Sequence, residues 1–448
     1  MSDKDLSFFK GGNNIAASLI EKHGSEAAIE QVQRDLRNIF NSKNLALLLG
    51  SGCSSYRDDA SGEELGIPTM EPMAKGFLAS LKDQTSDVRN QLKTSLGIDI
   101  SNECYSTNLE KLMELLFNTR FVLTHSDKHD LKEALPFVEE VISEATKYIL
   151  RTCRTGKFSN GDNKVQKLYE AFYRKLIHRD RALPRPWVFT TNYDLFNETA
   201  MDRLGIPYIN GFQGSVERRF NPAIFRYTLA EQLDLASKRW SSVDSLIYFV
   251  KLHGSINWQS RQEGIFPVVE TLPDMTTSDN LLVYPTPAKQ NASFASPYSD
   301  MFRELQTRVA REQTALITLG YSFGDEHVNN IVFQALTIPT FRLVAFVAPD
   351  MNETVKKLRE LSDPRIWIIG TESSHLKSAM SSQDSVSNGS KNDGSDASDS
   401  STWRAHYFES FIKDFMAAEV DDDTNQAINK ILSTFLSKAE PKTTQESL

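Results

Sequence analysis

The stretch Asn44-Leu-Ala-Leu-Leu-Leu49, followed at once by Gly50-Ser-Gly-Cys-Ser54, decides the fold class of this chain. A short, continuous apolar run that ends abruptly at a glycine is typical of a β-strand buried on both faces. Strands of this kind occur in parallel sheets whose two faces are covered by helices. We therefore expect an α/β domain whose first buried strand is this stretch.

Similar apolar runs recur along the chain and alternate with helical patterns. The predicted strands are Trp187–Phe189, Leu246–Leu252, Leu281–Tyr284, Ala315–Leu319, Leu343–Ala348 and Ile366–Ile369. The helical patterns among them are Leu195–Leu204, Met301–Glu312, Val328–Leu336 and Glu353–Leu361. Strands that alternate with helices predict a Rossmann-like, doubly wound, mostly parallel sheet with helices on both faces.

The segments around these strands indicate the domain organisation. Residues 1–40 are predicted to form an N-terminal helical segment, with a helix over Ile15–Phe40, and residues 41–372 the α/β domain. Between about residues 71 and 178, apolar residues recur at helical spacing and strand character is nearly absent. We therefore expect a helical module, 71–178, inserted into the α/β domain.

The end of the chain has a different composition. From Ser378 to Thr402, ten of 25 residues are serine. A segment of this composition buries too little apolar surface to offset the conformational entropy lost on ordering, so we predict a disordered insertion at 378–402. Residues 403–448 are predicted to form C-terminal helices, at Trp403–Ala417 and Thr424–Leu436. The aromatic residues of the first helix either close the core or form an oligomer contact.

Composition narrows the classes of function. The 448 residues carry 50 Lys+Arg against 59 Asp+Glu, a formal net charge of −9. Because affinity for phosphate backbones rests on an excess of Lys and Arg, we expect no direct sequence-specific nucleic-acid binding. The three cysteines are scattered, which fits neither a metal knuckle nor a disulfide framework and predicts a reducing, cytoplasmic setting. No apolar stretch reaches the ~20 residues of a membrane span, so we expect no membrane partner.

The glycine loop after the first strand is a candidate phosphate site. Glycines such as Gly50 and Gly52 let a backbone turn sharply and approach a pyrophosphate closely. The competing interpretation is a tight structural turn, because the third glycine of the usual dinucleotide fingerprint is missing.

Polar residues also follow the predicted strand Trp187–Phe189 directly, as Thr190-Thr-Asn-Tyr-Asp194. In open α/β sheets, ligands bind outside the carboxyl ends of the strands. The alternative is that Asn192 or Asp194 caps the helix that begins near Leu195, since both residue types are good caps. Capping explains one polar residue rather than four in succession, so the cluster favours a ligand site.

Two later strands end in the same way. His253-Gly-Ser-Ile-Asn-Trp258 follows Leu246–Leu252. A neutral imidazole near physiological pH is the natural general base, although a satisfied structural histidine is the alternative. Gly320-Tyr-Ser-Phe-Gly-Asp-Glu-His327 follows Ala315–Leu319 and suits close contact with a ribose or phosphate. A turn and helix cap at Gly324-Asp325 explains that loop equally well.

These four motifs occur in the order found in the sirtuin-like domains of bacterial antiphage defence proteins. The chain most resembles the sirtuin-like NADase subunit that works with a HerA-type hexameric ATPase, and the resemblance covers roughly Gly11 to Gly370. It implies that residues 41–372 bind NAD as a substrate, without a metal. It also implies a homo-oligomer that assembles with such an ATPase.

The resemblance assigns roles position by position. It implies that Asn192 orients the nicotinamide ribose and the attacking water, that Asp194 holds the nicotinamide carboxamide, and that His253 is the general base. The residues implied to contact the rest of NAD are Gly50, Ser51, Gly52 and Ser54 at the pyrophosphate, Gly320, Tyr321 and Ser322 at the adenosine half, and also Thr191, Gly254 and Ser255.

The chain departs from protein-deacylating sirtuins in ways that bear on the reaction. Those enzymes carry a zinc ribbon with two Cys-x-x-Cys pairs, which this chain lacks, and Thr191 replaces the glutamine of their Gln-Asn-x-Asp motif. The expected reaction is therefore hydrolysis of NAD to nicotinamide and ADP-ribose. The alternatives are protein deacylation, ADP-ribosyl transfer, or a non-catalytic subunit that binds NAD or ADP-ribose.

Overall fold

A nine-stranded sheet forms the centre of the molecule. The computed structural model describes residues 5–57, 64–84, 86–156, 163–234, 239–261, 267–272, 281–283, 296–372 and 403–417. The strands of the sheet, numbered along the chain, are β1 (Ser7–Lys10), β2 (Asn13–Asn14), β3 (Asn44–Leu49), β4 (Trp187–Thr190), β5 (Tyr208–Ile209), β6 (Ile247–Lys251), β7 (Thr314–Leu319), β8 (Arg342–Phe346) and β9 (Ile366–Gly370). The predicted insertion at 378–402 and the predicted helix Thr424–Leu436 lie outside the described residues.

The sheet is mostly parallel and is wound in two directions from β3. Its order is β2-β1-β9-β8-β7-β3-β4-β6-β5. The strands from β9 to β5 run parallel, whereas β1 pairs antiparallel with β9, and β2 antiparallel with β1. From β3 the chain first extends the sheet through β4 to β5 and β6, and then continues on the other side of β3 from β7 to β9. The predicted Rossmann-like, doubly wound sheet is therefore confirmed.

Strand β3 is apolar throughout because both of its faces are buried. Leu45, Leu47 and Leu49 pack into the core on one face of the sheet, and Ala46 and Leu48 pack into the core on the other. Successive side chains of a strand point to opposite faces, so a strand covered on both sides needs an unbroken apolar run.

Helices cover both faces of the sheet. The core that contains Leu47 also receives the helices Ile15–His23, Ser25–Phe40, Lys164–Leu176 and Phe196–Leu204 and the C-terminal turns Phe408–Ser410 and Phe411–Phe415. The opposite core receives Tyr298–Val309, Glu326–Ala335 and Glu353–Glu360. In the described part of the chain, no helix is long and apolar enough to cross a bilayer.

A third apolar cluster belongs to helices between β3 and β4. Its helices are Met70–Gln84, Ser86–Leu96, Glu103–Ser106, Leu109–His125, His129–Lys132 and Leu135–Thr155. From here on, the name helical module refers to this part of the chain, residues 67–156, and not to the predicted range 71–178. The helix Lys164–Leu176, which the sequence pattern placed in the same segment, instead packs its apolar face against the sheet.

Smaller sheets lie beside the main one. A five-stranded antiparallel sheet consists of Phe212–Gln213, Arg218–Phe220, Gly254–Ser260, Val268–Glu270 and Leu281–Val283. Two hairpins pair Ser55–Arg57 with Glu64–Gly66, and Ala230–Asp234 with Arg239–Ser242. A short 3₁₀ helix spans Pro222–Arg226. The predicted strand at Leu281 therefore belongs to this second sheet rather than to the doubly wound one.

The two ends of the chain differ from their predicted helical structure. The N-terminal segment begins with a strand, β1, and its predicted single helix is divided at Gly24, where φ is 83°. Within the described C-terminal residues, 403–417, the helical segments are Phe408–Ser410 and Phe411–Phe415. Phe408 and Phe411 are buried in the core, so of the two interpretations left open for these aromatic residues, core closure applies.

Candidate active site

A cavity of about 200 Å³ opens at the carboxyl edge of the sheet, where the loops after β3, β4, β6 and β7 meet the helical module. The winding of the sheet reverses at β3, and open α/β sheets bind their ligands at such a switch point. The residues that line the cavity are Ser51, Ser54, Ile67, Pro68, Met70, Met73, Asn108, Glu110, Cys153, Thr191, Asn192, Tyr193, Asp194, His253, Gly320, Tyr321, Ser322, Gly324 and Asp325.

The loops after β3 and β7 touch through their glycines. A Cβ atom on Gly50 would lie 2.4 Å from the carbonyl oxygen of Gly320, and one on Gly52 would lie 2.9 Å from the Gly320 Cα atom. The N–H of Gly52 donates to the Gly320 carbonyl at 3.0 Å. The glycines therefore allow two backbones to pack together beside the cavity, which Gly320 lines.

This close approach predicts the effect of adding a methyl group. Gly50→Ala is expected to lower the free energy of unfolding by about 1–3 kcal/mol, the usual cost of overpacking, as measured by urea denaturation. Gly324→Ala is the matched control, because a Cβ there would meet only the Ser322 hydroxyl, at 3.4 Å. Equal stability of the two variants would contradict the packing described.

Asn192 is held in one orientation by its amide group. Its Nδ2 donates to the carbonyl oxygen of Gly50 at 3.0 Å and to Ser54 Oγ at 2.9 Å. Because a carbonyl oxygen can only accept, the NH₂ group must face Gly50. The amide oxygen then points away from the β3 loop, and Asn192 lines the cavity. This geometry leaves a fixed acceptor for a ligand hydroxyl group or a water molecule.

Ser54 links Asn192 to Asp194. Ser54 Oγ donates to Asp194 Oδ2 at 2.7 Å and lies 3.0 Å from the hydroxyl of Tyr169. Asp194 Oδ1 accepts from the N–H of Phe196 at 3.2 Å, at the start of the following helix. The N-cap position of this helix is Leu195, without a side-chain cap, so Asp194 accepts from the first helical N–H from the residue before the cap. Asp194 also closes a buried network below the cavity. Burial raises the pKa of Asp194, although Lys251 and the Ser54 hydrogen bond oppose that shift.

A buried ion pair supports the turn between β4 and this helix. Lys251 Nζ lies 3.0 Å from Glu198 Oε1, and both side chains are buried. The same ammonium group donates to the carbonyl oxygens of Tyr193, at 3.2 Å, and of Asp194. Lys251 thus fixes the backbone that carries the polar residues of the cavity. Burial raises the pKa of Glu198 to about 7, and Lys251 limits that rise.

His253 lies between two carboxylates. Its Nε2 is 2.8 Å from Asp325 Oδ2, and its Nδ1 is 3.7 Å from Glu110 Oε1. The first distance is that of an ion pair, although the carboxylate does not lie along the ring N–H direction as a hydrogen bond requires. Glu110 also accepts from the Tyr193 hydroxyl at 2.9 Å, so the helical module contacts both the β4 loop and the histidine.

The two carboxylates determine the charge of His253. Burial by itself lowers the pKa of the imidazole, but Asp325 and Glu110 outweigh burial and raise it to about 9. For Asp325 the signs are reversed. Burial by itself raises the pKa of this carboxyl group, but His253 outweighs burial and lowers the pKa to about 2. A pKa of about 9 favours the imidazolium at neutral pH. The expectation of a neutral imidazole considered His253 without these two partners, and the raised pKa contradicts it.

The structure brings most of the sequence-predicted residues to this cavity. Those that line it are Ser51, Ser54, Thr191, Asn192, Asp194, His253, Gly320, Tyr321 and Ser322. Gly50, Gly52, Gly254 and Ser255 do not line it. Gly50 and Gly52 serve the contact with the β7 loop, whereas Gly254 and Ser255 begin a strand of the second sheet, in which Ser255 is buried.

Sequence reasoning missed other residues of the site. Glu110 lies in the first turn of a helix of the helical module, and nothing near it in the sequence indicates that it faces His253. Asp325 carries a signal, since an aspartate just before a helix is a good cap, but that signal accounts for only one of its carboxylate oxygens. Among the described residues, no group of three His, Cys, Asp or Glu side chains is placed to hold a metal ion.

The mostly parallel, doubly wound sheet with polar loops around a switch-point cavity defines a Rossmann-like α/β protein, and proteins of this class bind their ligands at the carboxyl edge of the sheet. Residues 186–369 match the model of a family described as SIR2-like domain. SIR2-like domains use NAD, so the match supports a sirtuin-like family and NAD-related activity. The matched range contains Asn192, His253 and Asp325, whereas the glycine loop and Glu110 precede it. A comparison with curated proteins found no match.

Proposed function

We propose that this chain hydrolyses NAD at the bond between nicotinamide and ribose, giving nicotinamide and ADP-ribose. The observation that carries the proposal is the convergence of Asn192 and His253 on one cavity, within a range of sequence that matches a SIR2-like domain. The polar loops after β3 and β7 border the same cavity and supply Ser51, Tyr321 and Ser322 for the rest of the dinucleotide.

The reaction suits the charges of the site. The bond between C1′ and the pyridinium nitrogen breaks, nicotinamide leaves as a neutral ring, and positive charge develops on the ribose. A water molecule then forms the new bond to C1′ and gives up one proton. The carboxylates of Glu110 and Asp325 favour the cationic sugar, and the fixed amide of Asn192 is available to orient the ribose or the water.

His253 receives the proton in this proposal. The imidazole must lose its own proton first, which the pyridinium cation of bound NAD promotes, because a nearby like charge lowers the pKa of an imidazolium. After the attack of water, the imidazolium forms again beside Asp325. The net reaction consumes NAD and water and releases nicotinamide, ADP-ribose and one proton.

The biological setting follows from the resemblance of the sequence motifs. The setting that we propose is antiphage defence by depletion of NAD. Control of the activity is assigned to a homo-oligomer assembled with a HerA-type ATPase. An enzyme that destroys NAD needs such restraint, so activity is expected to depend on the assembled partner.

The test is to incubate the purified protein with NAD, without a protein substrate, and to measure nicotinamide and ADP-ribose by liquid chromatography. We expect both products in equal amounts, increasing linearly with time, in the presence of the candidate ATPase and DNA. His253→Gln is the control for contaminating activity. Nicotinamide without free ADP-ribose would indicate transfer instead of hydrolysis. Binding of NAD without either product would contradict the proposal.

A further inference from the structure

The imidazole of His253 is held from two separate elements of the fold. Asp325 approaches Nε2 from the loop after β7, and Glu110 approaches Nδ1 from the helical module. The rings of Tyr193 and Phe302 lie 6.5 Å and 6.2 Å from the imidazole ring. In the part of the chain that the structure describes, the titratable and charged groups beside His253 include Asp325, Glu110 and Tyr193.

Asp325 divides its two carboxylate oxygens between two tasks. Oδ1 accepts from the backbone N–H groups of His327, at 2.7 Å, and Val328, at 3.1 Å, and so caps the helix Glu326–Ala335. Oδ2 is the atom next to His253. Because the cap fixes the carboxylate, Asp325 cannot rotate away from the histidine without losing two hydrogen bonds.

We propose that Asp325 is the positioning residue of His253, which it orients through Nε2 while it stabilises the protonated ring. This inference rests on the proposed hydrolysis of NAD, in which His253 is the base. A carboxylate held 2.8 Å from one ring nitrogen restricts rotation of the ring by charge attraction and stabilises the imidazolium without taking the proton itself. The proton of the attacking water therefore stays on the imidazole until it is released to solvent.

Glu110 has a different role in this arrangement. Its contact with Nδ1, at 3.7 Å, is longer than a hydrogen bond, and its carboxylate is tied to the Tyr193 hydroxyl. It adds negative charge beside the ring but does not fix its orientation. Removing Glu110 should therefore change the basicity of His253 more than its placement, whereas removing the charge of Asp325 should change both.

The pH dependence follows from the sign of the shift. A general base acts in its neutral form, so kcat/KM of the wild type is expected to rise with pH until about 9, the pKa of His253 in the free enzyme. Asp325→Asn removes an anion and lowers that pKa, which moves the rising limb to lower pH by about one unit or more. Loss of positioning lowers the plateau of kcat/KM by about 10²-fold.

The variant is chosen so that the fold is retained. Asparagine caps helices as well as aspartate does, so Asp325→Asn keeps the cap of Glu326–Ala335. Asp363→Asn removes a carboxylate that pairs with Arg365, outside the cavity, and is the matched control with an unchanged profile. Glu110→Gln is also expected to move the rising limb of the kcat/KM profile to lower pH, but to lower the plateau value of kcat/KM much less. An equal loss of plateau in Glu110→Gln and Asp325→Asn would overturn the positioning role.

A second readout does not depend on turnover. The chain has 8 histidines, and with ¹³C-labelled histidine the His253 signal is identified by its absence in His253→Gln. We expect its titration midpoint near pH 9 in the wild type and at least about one unit lower in Asp325→Asn. An unchanged midpoint in Asp325→Asn would overturn the inference. A shifted midpoint in a protein that does not consume NAD would retain the pair and reject the proposed function.

Discussion

Replacing Asn192 by alanine is expected to reduce NAD hydrolysis by about 10³-fold, the effect of removing one fixed polar group from a transition state. The amide of Asn192 is oriented by Gly50 and Ser54, so its oxygen keeps one direction in the cavity. A side chain held in this way before the substrate binds does not have to reorganise during the reaction. Alanine removes the oriented oxygen but leaves the loops that frame it.

The fold should survive this substitution. The Gly50 carbonyl still accepts from the N–H of Cys53, at 3.0 Å, and Ser54 still donates to Asp194. The measurement is release of nicotinamide by the assembled enzyme, with the thermal midpoint as the test of folding. Asn210→Ala is the matched control, since Asn210 is also buried and hydrogen-bonded but does not line the cavity. Near-normal turnover in a folded Asn192→Ala protein would remove Asn192 from the mechanism.

The central strands were predictable from sequence because burial on two faces leaves a strong local pattern. Strand β3 must be apolar at every position from Leu45 to Leu49. Strand β1 has no comparable pattern, because Ser7–Lys10 is four residues long and lies near the edge of the sheet, antiparallel to β9. Its place in the sheet depends on pairing with a strand more than 350 residues away, which no local pattern records.

The strand Gly254–Ser260 was missed for a different reason. Its residues look like a polar loop because they follow His253 directly and contain Gly254, where φ is 87°. The positive φ lets the chain turn from β6, which ends at Lys251, into the second sheet with two residues between the strands. Gly254 and Ser255 therefore belong to a structural crossing point, whereas His253, one residue earlier, remains at the cavity.

The site divides in the same way between local and distant information. Asn192 and His253 were predictable because each follows the end of a buried strand, and the ends of parallel strands meet at one edge of the sheet. The charge of His253 was not predictable, because it depends on Glu110, which precedes His253 in the sequence, and on Asp325, which follows it. Only the fold brings these three side chains together. The position of a residue at the end of a strand thus indicates where its side chain lies. Its protonation state can be predicted only when the neighbouring charged groups in the fold are known.

Lys251→Met is expected to lower the free energy of unfolding by about 3–5 kcal/mol, because breaking a buried ion pair leaves an uncompensated charge. Lys251 supplies the partner of Glu198 and also two hydrogen bonds to the backbone at Tyr193 and Asp194. Lys75→Met is the matched control. Lys75 and Glu71 form an exposed pair, at 2.6 Å, whose loss should cost no more than about 1 kcal/mol.

The loss of unfolding free energy in Lys251→Met should also depend on pH, and the titration of Glu198 determines whether that loss grows or shrinks as pH rises. Burial already raises the pKa of Glu198 to about 7 in the presence of Lys251, and removal of the ammonium group raises it further. The folded variant then binds a proton more tightly than the unfolded chain does, so its stability is greatest at low pH and is lost as pH rises toward the folded pKa. Urea denaturation at pH 5.5 and pH 8 should therefore give a larger cost for Lys251→Met at pH 8. A small loss of unfolding free energy that is equal at pH 5.5 and pH 8 would mean that the turn between β4 and the helix Phe196–Leu204 does not depend on the Lys251–Glu198 pair.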